Sequence, residues 1–145
     1  MEVKRKVLAY ITKGTQDDLK LLVFEQKDHP EAGIQVPGGT IEEDELLIDA
    51  LYREVEEETG IPRDRLELVG KLHKKNHYPK NQEDVVYERN IFHLSYTGNS
   101  EDAWENHVYS DGKDNGLTFC CRWVPMSQLP DLAGRQDEAL DFMDS

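Results

Sequence analysis

Cysteine is nearly absent: the chain of 145 residues holds two, Cys120 and Cys121, side by side. Neighbours on an extended strand point to opposite faces, which excludes a bridge between them and any disulfide-stapled fold. Also missing is an apolar run of the roughly 18 residues that a membrane-spanning helix needs. The N-terminus, Met1-Glu2-Val3-Lys4-Arg5-Lys6, lacks the apolar stretch of a secretory leader. Positive charge is scarce too, with 17 basic residues against 30 acidic ones and a formal net charge of −13. So acidic a chain lacks the basic footprint of a general nucleic-acid binder or of a protein that docks on anionic membranes. There is no internal repeat, low-complexity tract or interdomain linker. The expectation is one domain over residues 1–145, soluble and cytoplasmic.

What is present suffices for a core. Hydrophobic residues make up 37% of the chain and charged ones 32%. At this length folding buries about two-thirds of the unfolded surface. Two apolar runs, residues 7–11 and 19–24, flank the turn formers of 12–18 and predict a β-hairpin. After a loop with His29, Pro30 and Gly33 comes a short piece, 34–36, closed by Pro37-Gly38-Gly39. Residues 44–59 predict a helix, with Asp44 as N-cap, Gly60 as stop and Pro62 beyond. Strands follow at 66–72 and 85–96, separated by the polar stretch 73–84. Residues 97–116 read as a long acidic loop holding Trp104, then 117–124 as a strand and 137–143 as a closing helix. In that last strand Leu117, Phe119, Cys121 and Trp123 alternate and share one buried face, giving the cysteines a structural role. The five histidines show no ligand spacing beyond His73 and His77, which read as solvated, so zinc is not expected.

The chemistry concentrates in residues 42–58, where nine acidic side chains accompany one basic residue, Arg53. At about 100° per residue, Glu54, Glu57 and Glu58 fall within a narrow arc, while Glu56 points away. Leu47, Ile48, Leu51 and Val55 form an apolar stripe that partly overlaps this arc. The face that is apolar early in the helix therefore turns carboxylate-rich later. Like charges at i,i+4, such as Glu54 and Glu58, weaken an isolated helix, and a hard divalent cation offsets that repulsion.

The spacing Gly39, five residues, Glu45, seven residues, then Arg53-Glu54-Val55-Glu56-Glu57-Glu58-Thr59-Gly60-Ile61 resembles the complete Nudix box. Pro37-Gly38 and Glu42 also suit that family. Asp44 departs from it, since many members carry Gly there, but no ligand position is affected. The resemblance implies an α/β (α+β) fold, an α/β/α sandwich around a mixed β-sheet. It implies Mg²⁺, with Mn²⁺ an alternative, held by Glu54, Glu57, Glu58 and the backbone carbonyl of Gly38. Glu45 and Arg53 would brace the loop against the helix, with Glu54, Glu57, Arg53 and Glu45 as the catalytic set.

By the same resemblance the activity is hydrolysis of a diphosphate linkage in a nucleoside diphosphate joined to another moiety. A nucleotide sugar or a dinucleoside polyphosphate would be such a small-molecule substrate. A non-catalytic nucleotide-sensing module is the alternative, and a degenerate box would favour it; this box is intact. Isomerisation of an isoprenoid diphosphate would call for a cysteine early in the chain, where there is none. For the general base the candidates are Glu54 and the loop acids Glu101, Glu105, Asp111 and Asp114. Tyr78 and Trp104, both in polar segments, are candidates for stacking a base, and Lys74, Lys75 and Lys80 form a lysine cluster that could meet phosphates. Nudix domains often dimerise, so a homodimer is compatible with this reading.

Overall fold

The structure, a computed structural model, describes residues 2–79, 84–108 and 116–143. In chain order its regular elements are β1 (Glu2–Lys13), β2 (Lys20–Gln26), β3 (Gly38–Thr40), α1 (Leu47–Thr59), β4 (Leu66–His77), β5 (Val85–Tyr96), β6 (Ala103–His107) and β7 (Thr118–Pro125). The strands form one mixed sheet in the order β4-β5-β1-β2-β7-β6, with β3 paired to β1 off that path. None of the described helices is long and apolar enough to cross a membrane.

β1 organises this sheet. On one side it runs parallel to β5 along almost its whole length, from Glu2 opposite Val85 to Thr12 opposite Ser95. On the other side it meets β2 only at Thr12–Leu21 and Lys13–Lys20, so the hairpin closes at its turn and then splays. The chain between β2 and α1 enters that opening. Gln35 bridges to Phe24 of β2, the Ala9 amide donates to the Pro37 carbonyl at 2.8 Å, and β3 pairs with Lys6, Val7 and Leu8. The Pro-Gly-Gly segment is thereby fixed at the centre of the sheet, beneath α1.

Alternation along the strands builds two cores. Val7, Ala9, Ile11, Leu22, Phe24, Phe92, Leu94, Phe119, Cys121 and Trp123 face α1 and pack with its Ala50, Leu51 and Val55. Leu8, Tyr10, Leu21, Val23, Val36 and Ile91 face the other way and are covered by Leu132 and Ala139. The layered sandwich is thus present, with α1 on one side and short turns of the C-terminal segment on the other.

Four local expectations change. The helix starts at Leu47, not at residue 44, and its N-cap is Leu46, which makes no side-chain cap. Asp44 instead sits in the turn before it at φ 64°, a left-handed conformation that Asp tolerates better than most residues. The loop expected over 97–116 contains β6, an edge strand too short and polar to show a clear period. β4 continues through the polar stretch to His77, because an edge strand open to solvent need not alternate. The closing helix of 137–143 is reduced to a 3₁₀ turn, Leu140–Met143, after another at Ala133–Arg135.

Candidate active site

Arg53 is the hub of the acidic segment. Its Nε donates to Glu45 Oε2 at 2.7 Å and its Nη2 to Glu45 Oε1 at 2.9 Å, a two-pronged pair that clamps the loop before α1 to the helix. Nη2 also reaches the Thr40 carbonyl at 3.2 Å, tying in the end of β3. Nη1 turns to the helix, donating to Glu54 Oε1 at 2.9 Å and meeting both Glu57 oxygens at 3.4 Å. The Arg53 guanidinium beside Glu45 holds that carboxyl below the usual carboxylate range, and Glu45 in turn raises the pKa of Arg53. Glu45 Oε1 further accepts the Glu42 amide at 3.0 Å and closes the turn that carries Asp44.

The carboxylates of Glu54 and Glu58 are withdrawn from water, the residues being 8% and 4% exposed. Glu54 lies directly over Gly39: a Cβ there would stand 2.3 Å from the Glu54 carboxyl carbon. A side chain at this position would displace the Glu54 carboxylate from where it now sits. Glu58 accepts the Gly38 amide at 2.7 Å. The structure therefore gathers Glu54 and Glu57 on one guanidinium nitrogen and turns Glu58 to the neighbouring glycine amide. Among the described residues, no three acidic, histidine or cysteine side chains converge on one point as metal ligands. Three carboxylates, those of Glu45, Glu54 and Glu57, thus meet the Arg53 guanidinium, Glu54 buried and the other two partly so.

That helix end runs against electrostatic preference. Its last turn is acidic and has no basic residue, although a helix C-terminus favours cations. The helix end and the sheet together supply donors to its late carbonyls. Thr59 Oγ1 donates to the Val55 carbonyl at 2.7 Å, and the amide of Gly60, left-handed at φ 82°, donates to Glu56 at 2.9 Å. Asn106 Nδ2 donates to the Glu57 carbonyl and Trp104 Nε1 to the Thr59 carbonyl, both at 2.8 Å. Cys121 Sγ lies 3.8 Å from the Glu58 carbonyl. Burial, with the Glu58 charge beside it, pushes the Cys121 thiol up to about 12, so it stays protonated and packs as a core residue.

Other candidates sort by position. Trp104 is half-buried, tilted against Trp123 and engaged with the helix end, so its indole N–H serves the scaffold. Tyr78 is 62% exposed at the end of β4. Glu105, between Trp104 and Asn106, projects from the opposite face of β6 and pairs with Lys27 at 3.2 Å. Glu101 is exposed. Asp111, Asp114 and Lys80 lie outside the described residues. Asn106 was not visible as a functional residue in the sequence, and its only signal is the alternation with Trp104 along 103–107.

The NUDIX domain profile matches residues 3–143. No curated protein matches the chain significantly. Among solved structures, the NUDIX domain of Shewanella oneidensis NrtR complexed with ADP ribose is 18% identical with a TM-score of 0.68, covering 99% of this chain and 87% of its own. The MutT NUDIX hydrolase from Burkholderia pseudomallei is 24% identical with a TM-score of 0.64, covering 97% and 98%. A Caenorhabditis elegans Ap4A hydrolase in a binary complex is 14% identical with a TM-score of 0.62, covering 98% and 87%. At these identities the structural likeness is one of fold.

Proposed function

The chain belongs to the Nudix family, and from that premise we propose that it is a pyrophosphohydrolase, cleaving a nucleoside diphosphate derivative at the diphosphate linkage with a divalent cation. The observation that carries this reading is the gathering of carboxylates on α1: Glu54 and Glu58, both more than nine-tenths buried, stand one helical turn apart, and Glu54 and Glu57 share the Arg53 guanidinium. Such a hard, all-oxygen donor set suits Mg²⁺ or Mn²⁺. Glu54, Glu57 and Glu58 would hold the ion, with Gly38 supplying a backbone oxygen. When bound, the ion polarises phosphoryl oxygens and lowers the pKa of a water.

The rest falls to the chain's own residues. Water adds to one phosphorus of the linkage, the bond to the bridging oxygen breaks, and two phosphate-bearing products leave. Glu54, nearest the glycine floor, is positioned to take the proton of that water. Arg53 and Glu45 keep loop and helix in register while the proton moves. Gly39 lets the backbone approach the carboxylates without a side chain between. On this reading the chain is one catalytic domain acting in the cytoplasm on nucleotide sugars, dinucleoside polyphosphates or related small molecules.

The test is a product screen over nucleotide sugars, dinucleoside polyphosphates, nucleoside triphosphates and capped RNA, with Mg²⁺, with Mn²⁺ and with chelator. Metal-dependent turnover of one class is expected, and Glu57→Gln is expected to lower it about 100-fold or more while the protein still folds. Equal rates for Glu57→Gln and wild type would remove the assignment.

A further inference from the structure

Resting on the metal-dependent hydrolase reading, this inference concerns what holds the box loop from the side of the sheet opposite α1. Between β2 and β1 the chain changes partners within three residues. Gln35 exchanges both of its backbone hydrogen bonds with Phe24 of β2, at 2.8 and 2.9 Å, while Pro37 gives its carbonyl to the Ala9 amide of β1. Val36, at the crossing, is 1% exposed, so its amide needs a partner inside the protein. That partner is a side chain 100 residues further on: the Val36 amide donates to Gln136 Oε1 at 2.8 Å. Pro37 has no N–H, and the next amide, that of Gly38, donates to Glu58 Oε1 at 2.7 Å. The two amides that flank Pro37 are thus each held by a side-chain oxygen, Glu58 from α1 and Gln136 from the C-terminal segment.

Gln136 is itself seated by the fold. Gly134 and Arg135, at φ 58° and 60°, turn the chain just before it. The hydroxyl of Tyr10, a fully buried residue, donates to the Gln136 carbonyl and accepts the Ala139 amide at 3.1 Å. The Ala133 amide donates to the Ile34 carbonyl at 2.7 Å, so the same segment also grips the chain two residues before Val36. The two grips on the Pro37 turn differ in chemistry. Glu58 offers a carboxylate, on which a bound cation would draw. Gln136 offers an amide oxygen without charge, and its hydrogen bond is indifferent to the ion.

We propose that Gln136 is a positioning residue of the candidate metal site: it fixes Val36 and, through Pro37, the backbone of Gly38 whose carbonyl is to meet the ion. Pro37 makes the link stiff, because its ring locks its own φ and restricts the residue before it. Without Gln136, Glu58 alone of these two side chains holds the turn, and it is the one whose charge the cation claims.

Mn²⁺ titration of the full chain, followed by electron paramagnetic resonance without substrate, tests this apart from turnover. Gln136→Met keeps the length of the side chain but has only a poor acceptor, and is expected to raise the Mn²⁺ Kd at least about tenfold, the usual scale for a group that supports a metal ligand. Gln136→Glu restores an acceptor oxygen and is expected to recover most of that affinity. Hydrogen exchange over residues 36–40 should quicken in Gln136→Met while exchange in β5 stays as in wild type. A wild-type Kd in Gln136→Met, an equal loss in Gln136→Glu, or faster exchange spread over the whole sheet overturns the proposal. Should Gln136→Met fail to fold, Tyr10→Phe fills the same core and removes only the hydroxyl that seats Gln136; an unchanged Mn²⁺ Kd there also overturns it. Metal-dependent hydrolysis with an unchanged Kd in Gln136→Met sinks this inference alone. Mn²⁺ binding that depends on Gln136, in a chain that hydrolyses nothing, upholds it and sinks the hydrolase reading.

Discussion

The guanidinium of Arg53 meets four acidic side chains, Glu42, Glu45, Glu54 and Glu57, yet only Glu45 receives two short parallel hydrogen bonds. That geometry makes Glu45 the partner whose loss is felt most in stability. Glu45→Gln is expected to cost about 2 kcal/mol near neutral pH, the scale of a charged hydrogen bond. The sign of its pH dependence follows from Arg53 holding the Glu45 pKa below 4.5 in the folded chain. The unfolded chain then takes up its proton first as pH falls, so the contribution is whole above pH 4.5 and disappears as pH drops through the lower folded value. Denaturant melts of wild type and variant should therefore converge on the acid side, and a constant gap from pH 7 to strongly acid solution would contradict the pairing. The residues of this clamp were legible in the sequence because their spacing is fixed by a helical turn and a tight loop. The direction of each carboxylate was not: spacing puts Glu54, Glu57 and Glu58 on one arc, but only packing turns Glu58 toward the Gly38 amide.

For α1 the weak point is its C-terminal turn, where the dipole and three consecutive glutamates work against each other. β6 relieves this by lending Asn106 and Trp104 to the last carbonyls. Asn106→Ala is expected to cost about 1–2 kcal/mol by leaving the Glu57 carbonyl without its donor. It should also raise the Mg²⁺ concentration needed for half-maximal activity, because the peptide that carries Glu57 loses its anchor. Equilibrium unfolding and a metal titration of the rate check both; a stability loss with an unchanged metal requirement would restrict Asn106 to the scaffold. The helix itself could be read in advance from its apolar stripe and Gly60. Its first turn could not, since Asp44 looks like a cap and instead adopts a left-handed turn conformation. β6 escaped notice for a related reason: Trp104 is its one large apolar side chain, and a single residue has no period.

Taken whole, the molecule carries a net charge of −13. Self-repulsion at that charge opposes compactness, so screening should help. The melting temperature at pH 7 is expected to rise by a few degrees between about 20 and 300 mM NaCl. A fall would mean that specific ion pairs outweigh the general repulsion. The sheet order, unlike most of the strands, could not be read from the sequence. Alternation marks a strand without saying that β1 pairs with β5 for its full length and with β2 for only two residues.

That arrangement also decides where the chain tolerates a change in length. Residues 6–8 of β1 are held from both flanks, by Gly38, Gly39 and Thr40 on one and by Arg89, Asn90 and Ile91 on the other. An inserted or deleted residue within this stretch would turn Lys6 and Val7 to each other's sides, moving an ammonium under the helix and an aliphatic side chain out of it. A change of length in this hairpin is therefore expected to be tolerated in the turn around Gly14, where β1 has already left β5, and not in the strand before it.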